Sequence, residues 1–383
     1  MPFYRHEGQI PPKRHIQFTN SRGDWYWEEL VSREGFNAIY SNLYHCHPPT
    51  AVTAVGDFLP LPLETSPKEH RVRHLRSGSL AATGDAVTAR VPLLFNADCI
   101  IAKAHVNKGM DYCYRNGQAD EVLFIHEGSG QFLSNFGTIE FRSGDYLVIP
   151  RGVIWQINES GPLEILVIET NGPVATPSRY RNSAGQLMEH APFCERDIRT
   201  PVLPDEPPVQ GPVDVVVKIR NGHQTYSYAN HPFDVVGWDG YYFPWAFNIN
   251  DFEPITGRIH QPPPVHQTFQ ATGLVICSFV PRLYDYHHQA IPAPYAHSNV
   301  DSDEILYYVN GNFMSRAGMK PGSLTYHPMG LPHGPQPGKA QASVGQKETR
   351  ELAVMIDTFQ PLRCTRPADD IDDADYPFSW LTK

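Results

Sequence analysis

Three residues in the last quarter of the chain, His297, Glu304 and His333, are of types that bind transition metals, and their spacing is compact. Gly311 follows the first two, and the third ends the run Gly322-x5-Pro328-x-Gly330-x-x-His333. A strand pair bounded by these glycines would bring the three side chains onto one ion. Two imidazoles and one carboxylate on one face of Fe(II) leave the other octahedral positions open. Because open positions admit a substrate and dioxygen together, the pattern indicates an iron-dependent oxygenase site.

This spacing resembles the two motifs of the cupin barrels, roughly G-x5-H-x-H-x3,4-E-x6-G and G-x5-P-x-G-x2-H-x3-N. Asn299 stands where many cupins have a second histidine, which leaves a set of two histidines and one glutamate. Asparagine is a poor ligand for a divalent transition metal but a good hydrogen-bond partner for a bound anion or oxygen species. The resemblance implies a β-barrel around the metal.

The same frame occurs earlier without its ligands. Glu121-x6-Gly128 is followed by Gly144-x5-Pro150-x-Gly152-x-x-Trp155, and Tyr114 occupies the place of the first histidine. We interpret this as an internal duplication whose first copy keeps its turn glycines and proline and has lost the metal. The alternative is a chance resemblance between two β-hairpins. The duplication predicts one Fe(II) per chain, with Trp155 packed inside a first barrel that serves as scaffold.

Short apolar runs rich in β-branched residues, punctuated by Gly, Pro and Asp, are typical of buried strands. Five such runs are Glu121–Ile125, Tyr146–Ile149, Leu163–Ile168, Val215–Val217 and Leu274–Cys277. The 36 prolines and 29 glycines add many turns. The sequence therefore predicts a mostly β protein, a bicupin of two jelly-roll barrels of which the N-terminal one is degenerate.

A chain of 383 residues is long enough for two domains with their own cores. We expect residues 1–170 to form an extended segment, to about residue 95, and then the degenerate barrel. Residues 171–255 should form a Pro-rich crossover (Pro201 to Pro212) and the aromatic stretch Trp238–Phe247. Residues 256–383 should form the metal-binding barrel and an acidic tail, Asp369–Asp375, which we expect to be solvated.

The chain carries 31 basic and 41 acidic residues, a net charge of −10, which argues against a nucleic-acid surface. No apolar run approaches the length of a membrane span, and the N-terminus lacks the apolar core of a signal peptide. Six scattered cysteines without a CxxC pair are typical of reduced thiols. We therefore expect a cytoplasmic protein with neither nucleic-acid nor membrane partners.

The chain also resembles homogentisate 1,2-dioxygenase, the ring-cleaving enzyme of tyrosine and phenylalanine breakdown. The segments that carry the resemblance are Pro294–Asn299, Leu331–Pro335, Met1–Arg5 and Pro11–His15, the last two being similar to the shorter bacterial branch of the family. The resemblance implies that homogentisate and O2 are converted to 4-maleylacetoacetate in a homo-oligomer, a trimer or hexamer. It also implies roles for seven residues: His297, Glu304 and His333 as ligands of Fe(II), His260 as the base, and Tyr295, Asn299 and His327 in substrate binding.

One departure from the family concerns Phe313, which stands where the family has a pocket tyrosine. The loss of that hydroxyl leaves a gentisate- or hydroquinone-cleaving dioxygenase as the alternative activity. A Zn- or Mn-dependent bicupin isomerase is a further alternative, although such sites usually keep the histidine that Asn299 replaces. A non-catalytic bicupin that binds a small molecule would have lost the ligands of both barrels.

The remaining histidine clusters have weaker patterns. His287 and His288 would point to opposite faces if their segment were a strand, so at most one could face a pocket. His45 and His47 flank Cys46, but no further ligand has a suitable spacing for a metal site. We assign neither pair to the active site.

Overall fold

The computed structural model describes residues 3–205, 211–311 and 313–381, so residues 206–210 of the predicted crossover lie outside the described residues. The first half contains fourteen strands, β1 (Arg5–Gly8), β2 (Trp27–Ser32), β3 (Tyr40–His45), β4 (Val52–Pro60), β5 (Arg73–Leu75), β6 (Arg90–Phe95), β7 (Cys99–Val106), β8 (Cys113–Asn116), β9 (Asp120–Glu127), β10 (Ser129–Ser134), β11 (Gly137–Arg142), β12 (Asp145–Ile149), β13 (Ile154–Glu159) and β14 (Leu163–Thr170).

The second half continues with β15 (Ile198–Arg199), β16 (Val213–Ile219), β17 (Gly222–Tyr228), β18 (Val235–Gly240), β19 (Trp245–Asn248), β20 (Gln267–Ala271), β21 (Leu274–Phe279), β22 (Arg282–Leu283), β23 (Asp303–Asn310), β24 (Leu324–His327), β25 (Glu348–Thr349), β26 (Leu352–Thr358) and β27 (Arg363–Cys364). The described α-helices are α1 (Lys339–Ser343) and α2 (Arg366–Asp370). Short 3-10 turns lie at Glu34–Phe36, Ser77–Ser79, Ser178–Tyr180, Glu195–Asp197, Ile249–Asp251, Pro263–His266 and Tyr376–Phe378. In the described part of the chain, no helix is long and apolar enough to cross a membrane.

The first barrel is built from two large sheets. One has seven strands in the order β11-β10-β13-β8-β16-β17-β4, and the other has eight in the order β15-β19-β12-β9-β14-β7-β6-β27. The indole of Trp155 on the first sheet donates a hydrogen bond to Glu121 on the second, so the two sheets enclose one interior. The predicted mostly β bicupin fold is confirmed, and β9, β12, β14, β16 and β21 contain the five predicted apolar runs.

The second barrel is built on a six-stranded sheet of order β20-β21-β26-β23-β24-β5, with a small separate pair of strands, β22-β25. Its outer face packs on the eight-stranded sheet of the first barrel. Tyr307 on β23 meets Phe124 on β9 with ring centroids 6.4 Å apart, and Tyr146 bonds Ser278 at 2.9 Å. One buried apolar core therefore runs through both barrels.

Two terminal segments are more integrated than the sequence indicates. The first 95 residues, expected to be simply extended, supply six strands to four different sheets, and a sheet of order β1-β18-β3-β2 is built mainly from them. The prediction of a solvated acidic tail is wrong for its main carboxylates. The side chain of Asp372 is 1% exposed and pairs with Arg73 at 2.5 Å and Arg71 at 2.9 Å. These arginines lie far away in the sequence, so the acidic run alone could not reveal its partners.

Candidate metal centre

The structure brings the three predicted ligands together. Ligand atoms of His297, Glu304 and His333 all lie within 4.8 Å of one another. Glu304 is on β23, and the two histidines face each other across an isolated antiparallel bridge with N–H to C=O distances of 2.8 and 2.9 Å. A side chain at Gly334 would place its Cβ 2.6 Å from the Cα of Ala296, so glycine permits the close approach of these two segments.

Both histidines are oriented by the backbone two residues before them. Nδ1 of His297 is 3.2 Å from the carbonyl oxygen of Tyr295, and Nδ1 of His333 is 3.2 Å from that of Leu331. These contacts keep the proton on Nδ1 and leave Nε2 as the ligand atom. The two Nε2 atoms are 3.7 Å and 3.4 Å from the Glu304 carboxylate.

The donor set fits a divalent metal. Nε2 of His333 is buried and has no hydrogen-bond partner among the described residues, which is costly unless a further group binds it. Burial opposes ionisation of Glu304, but the hydrogen bond from His327 and the neighbouring rings of His297 and His333 outweigh it and hold the pKa of Glu304 well below its usual value. A permanently ionised carboxylate beside two Nε2 lone pairs has the ligand types of a non-haem Fe(II) site.

His327 lies behind the triad rather than in the lining of the cavity. It is fully buried, its ring stacks on His333 at 4.6 Å, and its Nδ1 donates to Glu304 at 2.9 Å. Its Nε2 accepts a hydrogen bond from the hydroxyl of Tyr376 at 3.1 Å. Burial, opposed by the Glu304 hydrogen bond, lowers the pKa of His327 to about 4. This neutral ring therefore supports the ligand carboxylate, and its placement does not favour the predicted contact with substrate.

A cavity of about 390 Å³ adjoins the triad. It is lined by the predicted residues His260, Tyr295 and Asn299, and also by Phe313. The rings of His260 and Tyr295 are 5.1 Å apart. Nδ1 of His260 lies 3.4 Å from Asp285, a carboxylate that the sequence pattern did not single out. A candidate base therefore stands beside the metal site with an acid that can balance its charge.

Besides Asp285, sequence reasoning missed two further groups at this site, Asp357 and Arg316. Asp357 on β26 lines the cavity opposite Glu304, and its buried Oδ1 has no hydrogen-bond partner within the residues that the structure describes. Burial and then the charge of Glu304 raise the pKa of Asp357 to about 8. Arg316 donates to the carbonyl of Gly334 at 2.6 Å, beneath His333. A lone acid in the apolar run of β26 was a usable signal for Asp357, whereas Arg316 lies in an irregular loop.

The first barrel holds an arginine among the counterparts of the three ligands. Trp155 pairs with Tyr114 across the strands, as His333 pairs with His297 in the second barrel. Trp155 and Tyr114 are both fully buried, and the prediction that Trp155 packs inside the barrel is confirmed. Nη1 of Arg90 contacts Glu121 at 2.5 Å, and its guanidinium carbon is 5.3 Å from the Tyr114 ring and 5.8 Å from the Trp155 ring. In the first barrel, the Arg90 guanidinium thus pairs with Glu121, the carboxylate that corresponds to Glu304.

The other histidine pairs have separate environments. His45 is buried between Asp234 at 2.7 Å and Glu29 at 3.1 Å, and His47 contacts the second oxygen of Asp234 at 2.9 Å. His287 and His288 lie outside the strands, next to a turn, so the condition that they lie in a strand is not met. Their ring centroids are 4.3 Å apart.

Comparison with known proteins gives consistent relatives. Residues 62–249 match the family model described as the N-terminal region of homogentisate 1,2-dioxygenase. A provisionally assigned dioxygenase of Saccharolobus solfataricus is 41% identical over 100% of both chains. Homogentisate 1,2-dioxygenase of Nitrobacter hamburgensis is 30% identical over 68% of this chain and 61% of its own. Homogentisate 1,2-dioxygenase of Sinorhizobium medicae is 26% identical over 77% of this chain and 66% of its own. The solved structure of a cupin 2 conserved barrel domain protein from Leptotrichia buccalis gives a TM-score of 0.38 at 10% identity, over 76% of this chain and 99% of its own.

Proposed function

Because the chain belongs to the homogentisate 1,2-dioxygenase family, we propose that it is an Fe(II)-dependent dioxygenase that opens the ring of a para-dihydroxylated aromatic acid. Homogentisate, converted with O2 to 4-maleylacetoacetate, is the substrate that the relatives favour. The observation that carries the proposal is the triad of His297, Glu304 and His333 beside a cavity. Both oxygen atoms of O2 enter the product, so the reaction needs no added reductant.

The triad would hold the metal through two imidazole nitrogens and one carboxylate. When bound, Fe(II) supplies open coordination positions and a redox-active centre for a phenolate and O2. Its charge less that of Glu304 leaves a net positive site, which attracts an anionic aromatic acid. The hydrogen bond from His327 keeps Glu304 ionised and oriented during this binding.

The protein groups around the cavity would handle the proton and the orientation of the ring. His260 would take the phenol proton, and Asp285, 3.4 Å from its Nδ1, would compensate the imidazolium that results. Asn299 and Tyr295 line the same cavity and offer amide and hydroxyl groups to the substrate oxygens. In this proposal, His260 moves a proton, and Asn299 and Tyr295 orient the ring.

Phe313 is the feature that bears most on substrate choice. It is 8% exposed and packs edge-on against Tyr308, with ring centroids 4.3 Å apart. It has no hydroxyl to donate to a substrate oxygen. A hydrogen bond to a charged group is worth about 1.5–3 kcal/mol. Weaker binding of the substrate carboxylate is therefore the expected consequence, with ring cleavage retained.

Oxygen uptake after anaerobic loading with Fe(II) tests the proposal. The purified protein is assayed with homogentisate, gentisate and unsubstituted hydroquinone, and the products are identified by mass with isotopically labelled O2. We expect homogentisate to be cleaved with two labelled oxygen atoms in the product. Faster turnover of gentisate or hydroquinone would reject homogentisate as the substrate but would still support ring cleavage of a para-diol. No uptake with any para-diol would reject ring cleavage, and conversion of a diol by zinc-loaded protein without oxygen uptake would favour the bicupin isomerase alternative.

His260→Gln tests the base in the same assay. The imidazole is replaced by a group that cannot accept the proton, so turnover should fall about 100-fold or more while iron content stays at the wild-type level. His190→Gln is the control, because His190 is an exposed histidine. An unchanged turnover number in His260→Gln would move the role of base to another group.

A further inference from the structure

The cavity extends well beyond the metal triad along the six-stranded sheet. Glu304 and Tyr308, four residues apart on β23, both line it. Tyr308 pairs with Ala353 on β26, which pairs in turn with Phe279 on β21. At about 3.3 Å per residue, this row lies roughly 13 Å from Glu304. The carboxylate of homogentisate is one methylene from its ring, so that molecule would leave this end of the cavity unfilled.

The walls between the two ends are apolar. Leu306 and Met355 stand opposite each other across β23 and β26, and Phe313 and Ala353 continue the lining toward the far row. Such walls offer dispersion contacts and exclude water from whatever lies between them. They suit an aliphatic or aromatic arm on the diol ring better than a second charged group beside the ring.

The far end of the cavity is polar again, and it is buried. His266 is 6% exposed, and its ring lies on Phe279 at 4.4 Å between centroids. Its Nδ1 is buried, and no group in the described part of the chain forms a hydrogen bond with it. Arg282 uses its N–H groups on the carbonyl of Val280 and on Glu351, each at 3.0 Å, which leaves part of its five-donor guanidinium available to a ligand. An unsatisfied imidazole and a guanidinium thus meet at one end of a ligand cavity.

We propose that His266 and Arg282 form a distal subsite that binds an oxygen-bearing group at the end of an apolar arm carried by the diol ring. The inference rests on the proposed function, because the triad is taken to hold the diol. It extends the substrate class from homogentisate to para-diols that carry a longer arm. The arm lies between Leu306, Met355 and Phe313, and its terminal oxygen accepts hydrogen bonds from the two distal residues.

The distal subsite selects by hydrogen bonding rather than by net charge. Arg282 is neutralised by Glu351, whose side chain is 11% exposed. Burial, and then the charges of Arg282 and His260, lower the pKa of His266 to about 3, so its ring is neutral near pH 7. A carboxylate and a primary amide should therefore both bind, and an arm that ends in a methyl group should not gain from the subsite.

Four para-diols test the distal subsite in the oxygen-uptake assay: homogentisate, 6-(2,5-dihydroxyphenyl)hexanoate, the amide of that acid, and hexylhydroquinone. Each buried methylene should raise kcat/KM about fourfold until the arm reaches the far row. The acid and the amide should exceed hexylhydroquinone by about tenfold. Anaerobic titration calorimetry of the iron-loaded protein measures the dissociation constants of the four compounds without turnover, and these should follow the same order.

Two substitutions of His266 isolate its contribution. His266→Phe keeps a ring on Phe279 but removes the nitrogens, so the acid and amide should lose their tenfold advantage over hexylhydroquinone. His266→Gln keeps an N–H donor, so the acid and amide should retain much of their advantage over hexylhydroquinone. His190→Phe, at an exposed position, is the control for the substitution itself.

The outcomes separate this inference from the proposed function. Ring cleavage that is fastest with homogentisate and falls with arm length would overturn the distal subsite and keep the activity. An advantage of the oxygen-bearing arms that survives in His266→Phe would also overturn it. If no diol consumed oxygen but calorimetry still gave the predicted order and its loss in His266→Phe, the subsite would stand and the reaction would not.

Discussion

Replacement of Arg90 by methionine should destabilise the first barrel severely. Nη1 of Arg90 lies 2.5 Å from Glu121 and 3.3 Å from Glu169, and the three side chains are 8%, 0% and 4% exposed. Lys218 still pairs with Glu169 at 2.6 Å, but the donors that Glu121 would keep among the described residues, Trp155 and Asn116, are neutral. Removing one partner of a buried ion pair costs about 3–5 kcal/mol, because the other charge stays buried without compensation.

The double substitution Arg90→Met with Glu121→Met distinguishes charge from packing. It removes both members of the pair and restores an apolar interior, so it should recover most of the stability lost in Arg90→Met. Arg350→Met is the control, because Arg350 is 85% exposed and pairs with Glu348 at the surface. That substitution should cost no more than about 1 kcal/mol.

Urea unfolding followed by tryptophan fluorescence measures these differences, since Trp155 lies against the Arg90 guanidinium. The free energy of unfolding of Arg90→Met should fall by the stated amount with an unchanged slope in urea. Two results would refute the reasoning. One is a cost for Arg90→Met that matches the surface control. The other is a double variant no more stable than Arg90→Met, which would show that the guanidinium acts through its volume.

Three further predictions concern other parts of the molecule. His333→Ala should abolish metal binding, and wild-type protein should hold one Fe(II) per chain, so elemental analysis that found iron retained in the variant would contradict the site. Trp155→Ala should lower the free energy of unfolding by about 3–5 kcal/mol and leave the iron content of the folded protein unchanged, which calorimetry and metal analysis check together. Burial opposes protonation of His45, but hydrogen bonds from its ring to Asp234 and Glu29 raise its pKa to about 9. This stabilisation is fully present below the ordinary histidine pKa and is lost as pH rises through about 9. Wild-type stability should therefore fall by about 3 kcal/mol across this interval, and a similar fall in His45→Gln would exclude His45 as the cause.

The metal centre could be predicted from the sequence because its spacing is set by local structure. The motif from Gly322 to His333 encodes a tight turn between a strand and a bridge, and His297 and Glu304 lie seven positions apart beside the partner strand. The same turn residues in the earlier copy predicted the buried position of Trp155, which the structure confirms. Patterns of this kind persist because glycine and proline constrain the backbone wherever the chain is placed.

The partners of charged residues such as Glu121 and Asp372 were decided by tertiary structure. Arg90, which contacts Glu121, precedes the first motif, and Asp372 lies some three hundred positions after its partner Arg73. A charge in the sequence does not reveal whether it meets an opposite charge or water, since sheet order brings together strands from distant parts of the chain.

The sequence by itself therefore determined the fold class and the residues that can hold a metal, because both rest on short-range spacing and on backbone conformation. Tertiary structure decided the surroundings of those residues. His327 belongs to the same motif strand, yet only packing shows that it faces Glu304 and Tyr376 rather than the cavity. The length of the cavity and its polar end at His266 were also decided by how the strands pair, because the volume between two sheets is a property of their packing and not of either strand alone.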